Sequence, residues 1–70
     1  MKELSKRELE VFDYVIDGLS NNEIALKLSI NAKTVKFHTT KIFKKRNVNS
    51  RYKLISSFYK DKLSQVMISK

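Results

Sequence analysis

Lys33, Lys36, Phe37, Thr40, Lys41 and Lys44 recur at intervals of three, one, three, one and three residues. On an α-helix such intervals fall on a single face. That face would carry four ammonium groups, a hydroxyl and a phenyl ring, with no acid among them. Ammonium groups take phosphate oxygens and guanine edges. A threonine hydroxyl takes phosphate or base, and an apolar group takes a thymine methyl. One helix fits the major groove of B-form DNA. The chemistry these residues can do is recognition of a duplex polyanion. Phe37 has two readings at this point: it packs sideways on the preceding helix, or it is an exposed contact residue.

Bond-making chemistry finds no support. The chain has a single His and no Cys. Its acids are expected at the caps and outer faces of the first two helices, which leaves no nucleophile–base pair. His38 falls opposite the basic stripe, beside Val35 and Ile42, and has no second ligand residue near it; it reads as structural. No metal-ligand spacing and no glycine-rich phosphate loop is present. The expectation is a protein that is not an enzyme, without metal, cofactor or small-molecule ligand.

Seventy residues allow one domain, 1–70, near the lower limit for a self-supporting core. No apolar run approaches the roughly 20 residues of a membrane span, and the first residues lack the apolar stretch of a signal peptide. A cytoplasmic location and no membrane partner are expected. The net charge of +8 is unevenly placed. Up to Glu23 there are three basic and six acidic residues; from Ile24 to Lys60 there are ten basic residues and no acid. A surface built only for solubility would intersperse the signs. Segregation on this scale points to a polyanionic partner.

The elements that must position the stripe are helical. One Gly and no Pro argue against a hairpin-rich β fold. Ser5-Lys6-Arg7-Glu8 and Ser20-Asn21-Asn22-Glu23 are capping boxes. Val11, Phe12, Val15, Ile16 and Leu19 form the apolar set of a first helix, and Gly18 suits its left-handed cap. Asn31 is an N-cap for the basic helix, Asn47 a tolerable left-handed cap, and Asn49 or Ser50 the cap of a fourth helix. The spacing predicts an all-α, compact four-helix domain with helices over about 6–17, 21–28, 32–46 and 50–60 or longer. Ser29-Ile30-Asn31 alone joins the second and third helices, which makes a helix-turn-helix, with Ile30 packed between them.

Several strings together carry a resemblance. Leu4-Ser5-Lys6-Arg7-Glu8 with Glu10-Val11-Phe12, Gly18-Leu19-Ser20-Asn21-Asn22-Glu23-Ile24-Ala25, Leu28-Ser29-Ile30, Thr34-Val35-Lys36-Phe37-His38, Ile42, Val48 and Arg51 resemble the LuxR-type (FixJ or GerE-type) helix-turn-helix domain over about residues 4–58, most of the chain and without a gap. The resemblance implies a DNA-binding domain of bacterial transcription regulators, cytoplasmic and usually dimeric on DNA. It places Lys36, Phe37 and Thr40 at base edges. It places Thr34, Lys41 and Lys44, with Ser20, Asn21 and Asn22 at the start of the second helix, near phosphates; Lys33, on the same stripe, joins them. The sequence departs from the family at Lys41, where a residue such as Asn is common, and at Asn47, where Gly is common. Most relatives carry a receiver or ligand-binding domain ahead of this module. None is present in these residues, and a stand-alone regulator and an excised module would read alike.

Leu54, Ile55, Phe58, Tyr59, Leu63, Val66 and Met67 continue a three-and-four spacing past the resemblance. The segment 60–70 is a helical extension or a frayed tail. The family's fourth helix implies a homodimer on a palindromic site, with Tyr52, Lys53, Ser56 and Tyr59 at the interface. The partners expected are double-stranded DNA, a second copy, and RNA polymerase or another regulator. The alternative reading is a helix-turn-helix retained as a protein-binding module, an anti-activator or adaptor without specific DNA binding.

Overall fold

The structure is a computed structural model and describes residues 3–68, with side chains over 3–63. Four helices follow one another: α1 (Lys6–Ile16), α2 (Asn21–Leu28), α3 (Ala32–Lys45) and α4 (Arg51–Ile68). Asp17 and Arg46, expected as the last residues of their helices, are C-caps instead, whereas Ser50, one of the two residues expected to cap the fourth helix, does so. The fourth helix is continuous through Ile68. Val66 and Met67 lie outside the residues whose side chains are described.

Each helix starts on a side chain that satisfies an otherwise orphaned amide. The Ser5 hydroxyl accepts from the Glu8 N–H at 3.2 Å, and the Glu8 carboxylate accepts from the Ser5 N–H at 2.8 Å. Ser20 and Glu23 repeat the arrangement at 3.2 and 2.7 Å. Asn31 accepts from the Lys33 N–H at 2.8 Å, and Ser50 from the Lys53 N–H at 3.1 Å.

The first three helices end alike. The amides of Leu19, Ile30 and Val48 donate to the carbonyls of Tyr14, Ala25 and Phe43, and those of Gly18, Ser29 and Asn47 donate to Val15, Leu26 and Lys44. These are paired six-to-one and five-to-two bonds, the Schellman motif. The left-handed residue is in turn Gly18 (φ 91°), Ser29 (φ 54°) and Asn47 (φ 56°). The apolar residue after it packs on the core in all three cases. Ser29 is the residue the sequence did not mark.

The core is Leu4, Val11, Val15, Ile24, Ala25, Val35, Ile42 and Leu54. Ile30 is half-buried against it, as expected of a residue inside the turn. Leu54, Ile55 and Phe58 turn α4 onto the rest, and the Phe12 and Phe58 rings meet edge-on at 5.8 Å. Thr39 is buried beside Val35 and Ile42, with its hydroxyl donated to the Lys36 carbonyl at 2.9 Å. His38 is half-buried and edge-on to Phe37.

One expectation is corrected. Glu8 does more than cap α1: it is buried, and Lys45 donates to its carboxylate at 2.7 Å across 37 residues of chain. Lys45 also donates to the Glu3 carbonyl at 3.2 Å. The acids are therefore not confined to caps and outer faces. The Lys45 ammonium and the Ser5 amide hold the Glu8 carboxyl at a pKa of about 2, below its ordinary 4.5, against the opposing effect of burial.

A carboxylate with a depressed folded-state pKa adds stability above its unfolded pKa, and loses it as pH falls through the folded value. Stability should therefore decline between pH 4.5 and 2. Lys45→Met keeps the buried stem but strands the carboxylate, and should cost on the order of 3 kcal/mol at neutral pH. The acid slope should shrink in that variant. Urea unfolding across this pH range measures both, and an unchanged slope in Lys45→Met would contradict the assignment. Ser29→Gly relieves a left-handed serine, and should add about 1 kcal/mol and raise the melting temperature by roughly 4–8 °C. Asn47→Gly should add less, because Asn tolerates that region.

Candidate nucleic-acid interface

α3 sorts its residues between core and solvent. Val35, Thr39 and Ile42 are buried, whereas Lys33, Lys36, Phe37, Thr40, Lys41 and Lys44 are all exposed. Thr34 is exposed at the first turn of the helix. The six-residue stripe predicted from spacing therefore exists as one solvent face. Lys33, Lys36, Lys41 and Lys44 have no acid within ion-pair distance among the described residues; the ion pairs there are Lys45–Glu8 and Arg7–Glu10.

The uncharged members of the stripe have defined settings. Phe37 is 58% exposed, which fits the reading of an exposed side chain better than one packed sideways on α2. The Lys41 ammonium lies 5.1 Å from its ring centroid, and the His38 ring meets it edge-on at 5.8 Å. The Thr40 hydroxyl donates to the Lys36 carbonyl at 2.9 Å. In that rotamer it offers a partner its lone pairs and its methyl, not a proton.

The start of α2 carries the other predicted contacts. Ser20 and Asn22 are exposed and Asn21 is half-buried. The capping box occupies the amides of Ser20 and Glu23, which leaves those of Asn21 and Asn22 without an intrahelical partner. The Ser20 amide and hydroxyl lower the pKa of Glu23 from its ordinary value. Arg51, a residue to which sequence reasoning gave no role in the site, reaches here from α4. It donates to the Asn21 carboxamide oxygen at 3.0 Å and to the Leu19 carbonyl at 2.7 Å. A guanidinium has only donors, so the Asn21 oxygen must face it and the NH₂ must face away. Partial burial lowers the pKa of Arg51. The first residue after the Ser50 cap was the available signal, but nothing local shows how far its side chain reaches.

On α4, Tyr52, Lys53 and Tyr59 are exposed and Ser56 is half-buried. Tyr52, Ser56, Tyr59 and the exposed Leu63 follow at four, three and four residues, a single helical stripe. No helix of the described residues is long and apolar enough to cross a membrane, and no group of His, Cys, Asp or Glu among them could hold a metal.

A short helix, a turn and a longer helix with an outward cationic face, braced by two further helices, define a helix-turn-helix domain of the kind found in DNA-binding transcription regulators. Residues 2–58 match the GerE family, bacterial regulatory proteins of the luxR family, and the chain belongs to it. It is 45% identical over 60 residues to the oxygen regulatory protein NreC of Staphylococcus carnosus, covering 86% of this chain and 28% of that protein. With NreC of Staphylococcus epidermidis it shares 44% identity over 62 residues, 89% of this chain and 28% of the relative. Among solved structures, the response regulator ChrA of a heme-sensing two-component system superposes with a TM-score of 0.78 at 36% identity, over 90% of this chain and 31% of that one. The chain thus spans less than a third of the length of these relatives.

The Arg51 tie carries its own prediction. Arg51→Met removes two charge-assisted bonds and should cost about 2 kcal/mol in urea unfolding. Arg51→Lys should recover part of that. No loss in the Met variant would show that the tie does not hold α4 to α2.

Proposed function

We propose that this domain binds double-stranded DNA at preferred sequences, with α3 laid along the major groove, as the DNA-binding part of a cytoplasmic transcription regulator. The observation that carries the reading is the exposed face of α3: four lysines without acid partners around a phenyl ring and a threonine, on a helix whose other face is fixed in the core. Phosphate neutralisation supplies affinity, and base contacts supply choice. Lys36, Phe37 and Thr40 take the base edges. Lys33, Thr34, Lys41 and Lys44 take phosphates along the groove walls, with Ser20, Asn21 and Asn22 on an adjoining phosphate. For Asn21 the donors are its backbone amide and the carboxamide NH₂ that Arg51 turns away. Residues 1–70 act as one unit in this reading.

Tyr52, Lys53 and Tyr59, exposed on α4, with the half-buried Ser56, support a second copy as partner, and a two-fold dimer calls for a palindromic site. RNA polymerase or another regulator is the further partner of a transcription regulator.

The test separates the two classes of contact. Lys36→Ala should weaken binding to the selected site by about 1–2 kcal/mol, and binding to unrelated duplex by less. Lys44→Ala should weaken both alike and reduce the salt slope by about 1. Fluorescence anisotropy across a salt series on both duplexes measures this. Equal losses for both variants on both DNAs would refute the division of roles.

A further inference from the structure

Resting on the major-groove reading above, we infer that Phe37 reads the C5-methyl group of a thymine, so that this domain requires T at one fixed position of its site. Phe37 is the one large hydrophobic residue exposed on the α3 stripe, at 58%. Its two ring contacts, Lys41 and His38, leave it open to solvent. Lys33, Lys36, Lys41 and Lys44 share that face. Whatever covers the ring must therefore be anionic around its border and apolar at one point. On the floor of the major groove the single apolar group is the thymine methyl, set among hydrogen-bonding edges and flanked by phosphates. RNA offers no match, because uracil lacks the methyl and the A-form major groove is too narrow for side chains to read.

Lys41 sharpens the assignment. Its ammonium over the ring, 5.1 Å from the centroid, ties the phosphate-binding cation to the apolar reader. A phosphate contact by Lys41 and a methyl contact by Phe37 then form together. The competing reader of a methyl group is Thr40, whose own methyl is also outward while its hydroxyl is held to the Lys36 carbonyl. Thr40→Ser removes that methyl and keeps the hydroxyl.

The experiment uses the full chain. A duplex is selected from random DNA, and each thymine in it is replaced singly by uracil, which deletes one methyl group and nothing else. Binding of each duplex is measured for the wild type, Phe37→Ala and Thr40→Ser. The expected result is one position at which uracil weakens wild-type binding roughly threefold to fivefold, the worth of one buried methyl. That penalty should vanish in Phe37→Ala and persist in Thr40→Ser. Phe37 is exposed, so its truncation leaves the core intact, and the wild-type scan stands without any variant. A flat uracil scan on a strongly selected duplex overturns the inference alone. So does a penalty that survives Phe37→Ala or disappears in Thr40→Ser. Equal affinity for unrelated duplexes removes the major-groove reading and this inference with it.

Discussion

The buried carboxylate of Glu8 is the constraint on which the arrangement turns. It closes the capping box of α1 through Ser5 and receives the ammonium of Lys45 from the last turn of α3. One side chain thus ties the start of α1 to the last turn of α3. With Lys45 drawn inward and Val35, Thr39 and Ile42 in the core, the rotation of α3 about its axis is fixed. Its remaining lysines must then face solvent. A buried charge pair is costly to assemble and more costly to break, so this contact selects one setting of α3 more than it adds net stability.

Most of the fold was legible because its signals are local. Both capping boxes, the Asn31 cap, Gly18 and Asn47 each act within a few residues. Apolar spacing placed Val11, Val15, Val35, Ile42 and Leu54. Ser29 was not legible, because serine has no intrinsic preference for the left-handed region and its identity gives no warning. The marker is the pair of residues next in the chain. Leu19-Ser20 after Gly18 and Ile30-Asn31 after Ser29 are the same pair, an apolar residue and then an N-cap, and Val48 comes after Asn47 with one residue more before Ser50. The apolar residue seals the end of one helix against the core while the next starts. A left-handed residue is required just before it whatever its type.

The site divides in the same way. The α3 stripe could be read from its period, since a helix with one apolar face must present the other. The Glu8–Lys45 pair could not, because Glu8 already had a sufficient local role and Lys45 is one of three consecutive cations, Lys44-Lys45-Arg46. Its position off the stripe is the only trace of its different task. Arg51 escaped for a similar reason: its partners Asn21 and Leu19 lie about thirty residues back. Such a contact depends on where the first residue of α4 comes to lie beside the start of α2, which no short-range pattern encodes.

These long-range ties bear on recognition as well as on folding. Ordering side chains and backbone during association subtracts from affinity. Here the backbone of α3 is already braced at its start by Asn31, at its end by Lys45 and along its length by the core. Arg51 does the same for the start of α2 and orients the carboxamide there. If α3 is the contact face, as proposed, what binding must still order is its lysine side chains, and one of these, Lys41, already rests on Phe37. Lysines held on a rigid rod lose less on meeting a phosphate track than lysines on a loop would. The separation of charge in the sequence costs self-repulsion in the free domain. Salt screens part of that repulsion, and an anionic surface laid over α3, as proposed, would relieve it further, so the feature that strains the free domain would favour the bound state.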